Sequence, residues 1–259
     1  MGVYEDIVRM WRGWRVASAS DIDLRLHSFR VLFAYNSGRI ENVGITYHDT
    51  REMFENGKAV GFTGDPRALF ELSNQRLCYE FLKEKIIDRE PLTVRLVLEI
   101  HGALTGGTYD ERRYVGQGER PGSFKRHDYV TGRMEVGSEP AKVLGDVEEL
   151  LREVGETVMD GSEDGRIMKV AAYFHARFEH IHPFADGNGR VGRTLLNYYL
   201  MVRDHPPIII HEDEKADYYE ALEGYDASEG IMPMHRFLVR QAERTWVKSL
   251  TRESGNPKG

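Results

Sequence analysis

Between His182 and Arg193 the chain reads His-Pro-Phe-Ala-Asp-Gly-Asn-Gly-Arg-Val-Gly-Arg, which crowds an imidazole, a carboxylate, glycines and two arginines together. Those residue types suit phosphate chemistry. A neutral His182 can take a proton from an attacking hydroxyl. Asp186 is a hard oxygen donor of the kind Mg²⁺ uses while it also holds substrate phosphates. Arg190 and Arg193 are three apart, so on a helix both side chains would leave one face.

The flanking pattern supplies the elements that must position them. Ile167, Val170, Ala171, Phe174, Phe178 and Ile181 recur every three or four residues before the stretch, and Leu195, Leu196, Tyr199 and Leu200 do so after it. The spacing therefore predicts helix, short loop, helix. Asn188 is expected to cap the second helix, whose unpaired first-turn N–H groups then form an anion site in the loop.

Other readings of these residues fail on context. Gly187, Gly189 and Gly192 spell G-x-G-x-x-G, but the dinucleotide fingerprint needs a preceding strand, and a helix precedes it here. No G-K-[ST] closes a Walker loop. His175, His180 and His182 suggest zinc, yet residues two apart cannot share a helix face. His175 reads instead as a packed or capping histidine.

At every fixed position the stretch resembles H-x-F-x-[DE]-G-N-G-R-x-x-R, the signature of the Fic (Fido) family. That resemblance implies an all-α fold, a Fic-type helical bundle with a small β-hairpin flap. It also implies transfer of AMP from ATP, with Mg²⁺, to a Ser, Thr or Tyr hydroxyl of a protein. In such a site His182 would be the base and Asp186 the metal ligand. Gly187, Asn188 and Gly189 would hold the α-phosphate, Arg190 and Arg193 the outer phosphates, and Phe184 would anchor the loop. Upstream, Ser37-Gly38-Arg39-Ile40-Glu41-Asn42 resembles the family's inhibitory motif, with Ser37 and Glu41 as its inhibitory residues, which implies that Glu41 pairs with Arg193 and keeps the γ-phosphate from a productive pose. The same glutamate could instead orient a water that removes AMP from a modified protein. Transfer of another nucleotide or a phosphocholine-type group, or a nucleotide-binding regulatory module, are further alternatives.

The resemblance is specific at the motif and diffuse elsewhere over about residues 30–240. It places the flap at about 122–131, where Gly122-Ser123-Phe124-Lys125 resembles its start, with Lys where Arg is common. Phe124, Lys125, Asp128, Tyr129 and Val130 are then the target-binding residues, clamping a protein segment by strand addition. The length of the irregular 108–139 stretch itself points to function. Tyr219 and Leu222 stand where relatives shape the adenine pocket, and Asp226 replaces a frequent Asn.

Composition bounds the rest. The chain has 259 residues, is 41% hydrophobic and 30% charged, and carries a net charge of −7. That is ordinary for a globular protein and unlike a general nucleic-acid binder. One cysteine, Cys78, excludes an intramolecular disulfide. No apolar run is long enough for a membrane span, so neither nucleic acid nor membrane is an expected partner, and a cytoplasmic location is expected. A homodimer and self-modification are compatible with this sequence.

One Fic domain over 1–259 is expected. It divides into a docking segment (1–20), an inhibitory helix (21–42), a catalytic core (about 90–240) and a disordered polar tail (251–259). Between these, Asp49 or Thr50 should cap a helix ending at Gly57, and Pro66 should open a long one. Its apolar stripe would be Leu69, Phe70, Leu72, Leu77, Tyr79, Phe81, Leu82 and Ile86. Another should begin near Pro91, with Thr93 behind it, and end at Gly106-Gly107, with His101 as a scaffold residue. Gly38 should loosen its helix by about 1 kcal/mol relative to Ala.

Overall fold

The structure is a computed structural model that describes residues 2–59, 61–129, 137–156, 164–228 and 230–254. Among these residues the regular elements are helical. In chain order they are α1 (Val3–Gly13), α2 (Ala19–Arg25), α3 (His27–Glu41), α4 (Tyr47–Asn56), α5 (Pro66–Ile87), α6 (Val94–Thr105), α7 (Val143–Glu156), α8 (Asp164–Ile181), α9 (Asn188–Met201), α10 (Lys215–Ser228) and α11 (Met232–Ser254). No helix among them is long and apolar enough to cross a membrane.

The bundle is built around α9. Apart from Gly189, every residue of that helix is buried, the charged ones included, because α8, α6, α3 and α5 all pack against it. A helix covered on all sides cannot show the one-sided stripe of a surface helix. Its apolar positions join one large core with Phe174, Phe178, Phe184, Val147, Leu150 and Leu238.

Capping follows local chemistry where a cap residue stands at the boundary. Thr93 Oγ1 accepts the Leu96 N–H at 3.2 Å, and Asp65 precedes Pro66 at the first turn of α5. The cap of α4 is Thr46, one turn before the expected Asp49 or Thr50. Its hydroxyl accepts the Asp49 N–H at 3.1 Å and donates to the Asp49 carboxylate at 2.5 Å. Gly57 ends that helix at φ +71°, as expected.

Four expectations change. The helix from Asp21 is two helices, broken at Leu26, whose side chain is buried beside Trp246 in a second core cluster. No Pro or Gly marks the break; tertiary packing makes it. On α5 the stripe is rotated: Phe70, Leu77 and Phe81 are exposed while Glu71, Asn74 and Gln75 are buried. Asn74 Nδ2 donates to the Leu104 and Gly106 carbonyls, so a buried amide satisfies the open end of α6. Gly38 does not interrupt α3, and it packs under Ile45, where an added Cβ would lie 2.8 Å from the movable Cδ1 end of that side chain. Lastly, α11 continues through 251–254, leaving only 255–259 of the expected tail outside the described residues.

The expected hairpin is not formed by its described part. Residues 122–129 contain no strand, and Val130 and Thr131 lie outside the described residues. The expected docking segment is α1, whose Ile7 and Val8 are fully buried against the body. Trp11 and Trp14 meet Trp246 at 5.8 and 5.6 Å, and Phe29 stacks on the same indole at 5.8 Å. Trp246 also donates to the Pro207 carbonyl at 2.6 Å. One indole thus ties α1, α3 and α11 together. Trp246→Ala should lower stability by about 3–5 kcal/mol, read as the shift in urea-unfolding free energy followed by circular dichroism; a loss under about 1 kcal/mol would show that α1 is held some other way.

Candidate functional site

The site lies where α8 ends, the loop 182–187 turns, and α9 begins. Asn188 is the first residue of α9 and does not cap it with its side chain; Gly187 takes the capping position at φ +84°. The Asn188 amide turns back on the loop instead. Its Oδ1 accepts the Phe184 N–H at 2.9 Å, and its Nδ2 donates to the Phe184 carbonyl at 2.8 Å. That two-point clasp closes the loop and leaves the first-turn N–H groups of α9 unclaimed by a side-chain cap. Phe184 is wholly buried, as expected of an anchor.

His182 sits at φ +49°, a left-handed conformation that costs a non-glycine residue energy. Neighbours hold it there. The Ser138 N–H donates to the Ile181 carbonyl at 2.9 Å, and Gly137 lies so close that a Cβ on it would approach His182 Cβ to 2.7 Å. Burial and then the Lys125 charge push the imidazole pKa down to about 4. The Glu179 backbone carbonyl faces the ring and favours a proton on the nitrogen that meets it, which leaves the other nitrogen to accept. A neutral, oriented base results.

The two motif arginines, expected on one face, diverge to different helices. Arg193, 2% exposed, reaches α3: its Nε donates to Ser37 Oγ at 3.0 Å, and its Nη2 donates to the Ser37 carbonyl at 2.9 Å and to Glu41 Oε1 at 2.8 Å. Glu41 thus meets Arg193 as expected, and Ser37 adds two bonds to the same guanidinium. Arg190, also 2% exposed, turns toward α5, where its Nη1 is 3.1 Å from Glu71 Oε1. Its Nε and Nη1, and Arg193 Nη1, are sealed from solvent without a hydrogen-bond partner of good geometry. Buried cationic donors left short of acceptors suit an anionic guest.

Asp186 is bracketed. Its Oδ1 accepts the Gly187 N–H at 2.7 Å, and its Oδ2 accepts Arg67 Nη2 at 2.6 Å. Among the described residues no group of three or more metal-ligating side chains exists. A single carboxylate beside an anion cradle fits Mg²⁺, which takes one or two carboxylates and completes its shell with water and phosphate.

Among the neighbours that support the site, Glu119 was not singled out in the sequence. His101 is the scaffold residue expected: its Nδ1 accepts the Gly122 N–H at 2.9 Å, its Nε2 lies 3.2 Å from the Asp186 carbonyl, and its ring stacks on Phe184 at 3.7 Å. Burial pushes its pKa down to about 3, so it holds these bonds as a neutral ring. Glu119, 1% exposed, gathers the segment after it, accepting the Arg126 N–H at 3.0 Å, His127 Nδ1 at 3.0 Å and the Tyr129 hydroxyl at 2.9 Å. Lys125 is buried, and its N–H donates to the Pro183 carbonyl at 2.9 Å while Phe124 stacks on Phe184 at 5.6 Å. Of the expected flap residues, Phe124, Lys125 and Tyr129 are therefore drawn to the motif or its support, whereas Asp128 is exposed.

Glu179 is half-buried, with its Oε1 sealed behind Gly192 and unpaired, and desolvation pushes its carboxyl up to about 8. Tyr219 lies near enough to Glu41 and Arg193 to feel both charges, with Lys215 Nζ 5.6 Å from its ring centre. Leu222 packs half-buried against the main core. Asp226 instead bonds His180 at 2.7 Å, so its carboxylate is committed to the end of α8. His175 is packed, and hydrogen-bonds the Tyr218 hydroxyl at 2.9 Å.

Comparison with known proteins supports a family assignment. Residues 91–200 match the Fic/DOC family. The chain is 32% identical over 218 residues to the protein adenylyltransferase Fic of Drosophila persimilis, covering 82% of this chain and 39% of that protein. The Drosophila melanogaster protein of the same name is 31% identical over 218 residues, with coverage of 82% and 40%. This chain thus spans about two fifths of the curated relatives it matches. In fold it is similar to a Fic domain-containing signaling protein from Bacteroides thetaiotaomicron, with a TM-score of 0.82, 22% identity and complete coverage of both chains. It is also similar to a fragment of Fic-1 from C. elegans, with a TM-score of 0.72, 20% identity, and coverage of 97% of this chain and 72% of that one. Motif, loop geometry and sequence similarity converge, and the chain belongs to the Fic/DOC family.

Proposed function

We propose that this protein transfers AMP from ATP to a Ser, Thr or Tyr hydroxyl of a target protein and that Glu41 restrains it. One observation carries the reading: two buried guanidinium groups, Arg190 and Arg193, present unpaired nitrogens beside a neutral His182 at the start of a buried helix. A triphosphate supplies the acceptors they lack. The homologues named protein adenylyltransferase agree with it.

In the reaction the target hydroxyl gives its proton to His182, its oxygen bonds the α-phosphorus, and the bond to the β-phosphate breaks to release pyrophosphate. Mg²⁺, held at Asp186, would neutralise phosphate charge when bound. The protein contributes position and fixed charge, with the first-turn N–H groups of α9 facing the developing negative oxygens. The target would lie along residues 122–129, which His101 and Glu119 fasten to the motif.

Glu41 competes with phosphate for the fork of Arg193, and Ser37 holds that fork in place. The reverse reaction, AMP removal, is the second reading. It is favoured by the Glu41 side chain, 35% exposed, which commits only Oε1 to Arg193; its other oxygen could hold an attacking water. Release of AMP from a modified target by the unaltered protein would select it.

His182→Ala should cut labelling of protein by α-labelled ATP at least 100-fold, the scale of a lost general base. Undiminished label would remove His182 from that role. Glu41→Gly should raise labelling on the order of tenfold, within the usual range of coupling between competing ligands; equal label in both proteins would end the restraint reading. Because the folded pKa of His182 is near 4, the base is already neutral at pH 6. The rate of Glu41→Gly should therefore stay flat from pH 8 down to about pH 5.5 and fall only below that. A half-loss near the ordinary histidine value of about 6.5 would contradict the buried-base geometry.

A further inference from the structure

Asp186 is spoken for by a residue from outside the motif. Arg67, on the first turn of α5, places Nη2 2.6 Å from Asp186 Oδ2. Its Nε donates to Glu71 Oε1 at 3.0 Å, one turn further along the same helix. Glu71 is 3% exposed and is itself fixed, lying 3.1 Å from Arg190 Nη1 and accepting from Asn42 Nδ2 at 3.3 Å. The Arg67 side chain, 34% exposed, is therefore anchored at its neck by a buried carboxylate.

We infer that Arg67 is a third arginine of the phosphate site, exchanging its bond to Asp186 for one to the phosphate chain when metal takes that carboxylate. The inference rests on the reading of Asp186 as the metal ligand. A divalent cation and a guanidinium repel each other and cannot both lean on Oδ2, so loading the metal displaces Nη2. The Glu71 bond keeps the displaced fork beside Asp186. There the groups completing a magnesium shell are phosphate oxygens, which an arginine fork fits in two-point fashion. Arg67 thus changes partner from one anion to another, and its charge is matched in both states. Neither the motif nor its flanking helices contain this residue; the fold brings it across 119 positions of sequence.

Opposite effects on two ligands of one site follow. Mn²⁺ binding, followed by electron paramagnetic resonance, should tighten several-fold in Arg67→Gln when no nucleotide is present, because the competing cation is gone. Binding of ATP with Mn²⁺ should weaken about tenfold in the same variant, the scale of one lost charge-assisted contact. General damage to the fold would weaken both. Arg67→Lys separates contact from mere charge: it keeps the charge but lacks the fork, and its affinity for ATP with Mn²⁺ should still fall several-fold. If Arg67→Lys matches wild type in that titration, or Arg67→Gln leaves both affinities unchanged, the inference is overturned. Asp186→Asn separates it from the reading beneath it. Mn²⁺ binding that survives Asp186→Asn refutes the metal assignment itself, whereas its loss there, with unchanged Arg67 variants, refutes only the role of Arg67.

Discussion

Positive charge inside a buried helix is the constraint on which this structure turns. The first two turns of α9 carry Arg190 and Arg193, each 2% exposed, where an unpaired guanidinium would be very costly. Each is met by a carboxylate from a different part of the chain: Glu41 on α3 for Arg193, Glu71 on α5 for Arg190. The placement of α3 and α5 around α9 is therefore electrostatic as well as apolar. A helix bundle could bury the leucines of α9 in several ways. Far fewer arrangements bring Ser37 and Glu41 to one arginine and Glu71 to the other.

The loop ahead of α9 is built by a second set of contacts that work through shape. Phe184 is sandwiched with the His101 ring at 3.7 Å, and Phe124 stacks on it from the segment that follows α6. His101 meanwhile bonds the backbone of that segment at Gly122 and faces the Asp186 carbonyl. One buried aromatic stack therefore sets the distance between the residues that would position a target and those that would hold phosphate. The left-handed backbone at His182 is sustained from the same side by Ser138 and Gly137. Strain at that residue is affordable because the surroundings leave it no alternative.

What the sequence disclosed and what it concealed divide along a physical line. The helix–loop–helix, the start of α5 at Pro66, the stop at Gly57 and the meeting of Glu41 with Arg193 depend on local periodicity or on a long fixed motif. The misread features depend on contacts distant in sequence. Phe70 and Leu77 look like core and Glu71 looks like surface until the bundle turns that face of α5 toward Arg190. Glu119 carried no sign of its role, since its partners at Arg126, His127 and Tyr129 define it only once the segment folds back. Asn188 was assigned a helix cap on residue type, but its amide found two backbone groups of Phe184 within reach. Buried polar residues are the least legible class because their partners, not their own chemistry, make burial tolerable.

The same charge balance links restraint to substrate. Withdrawing Glu41 from Arg193 leaves a buried cation whose Nη1 is already without a partner, the costly half of a broken buried pair. The unrestrained site is thus poorly satisfied until an anion arrives, and a phosphate chain is the anion that the arginines and the α9 N-terminus both accept. On the proposed reading, restraint and ligand binding would draw on one electrostatic need, and neither would change without shifting the other. Ser37 adds directionality: it holds Nε of Arg193 from the α3 side, so the fork keeps its orientation when Glu41 leaves. A helix that only blocked access would have no reason to supply that second bond.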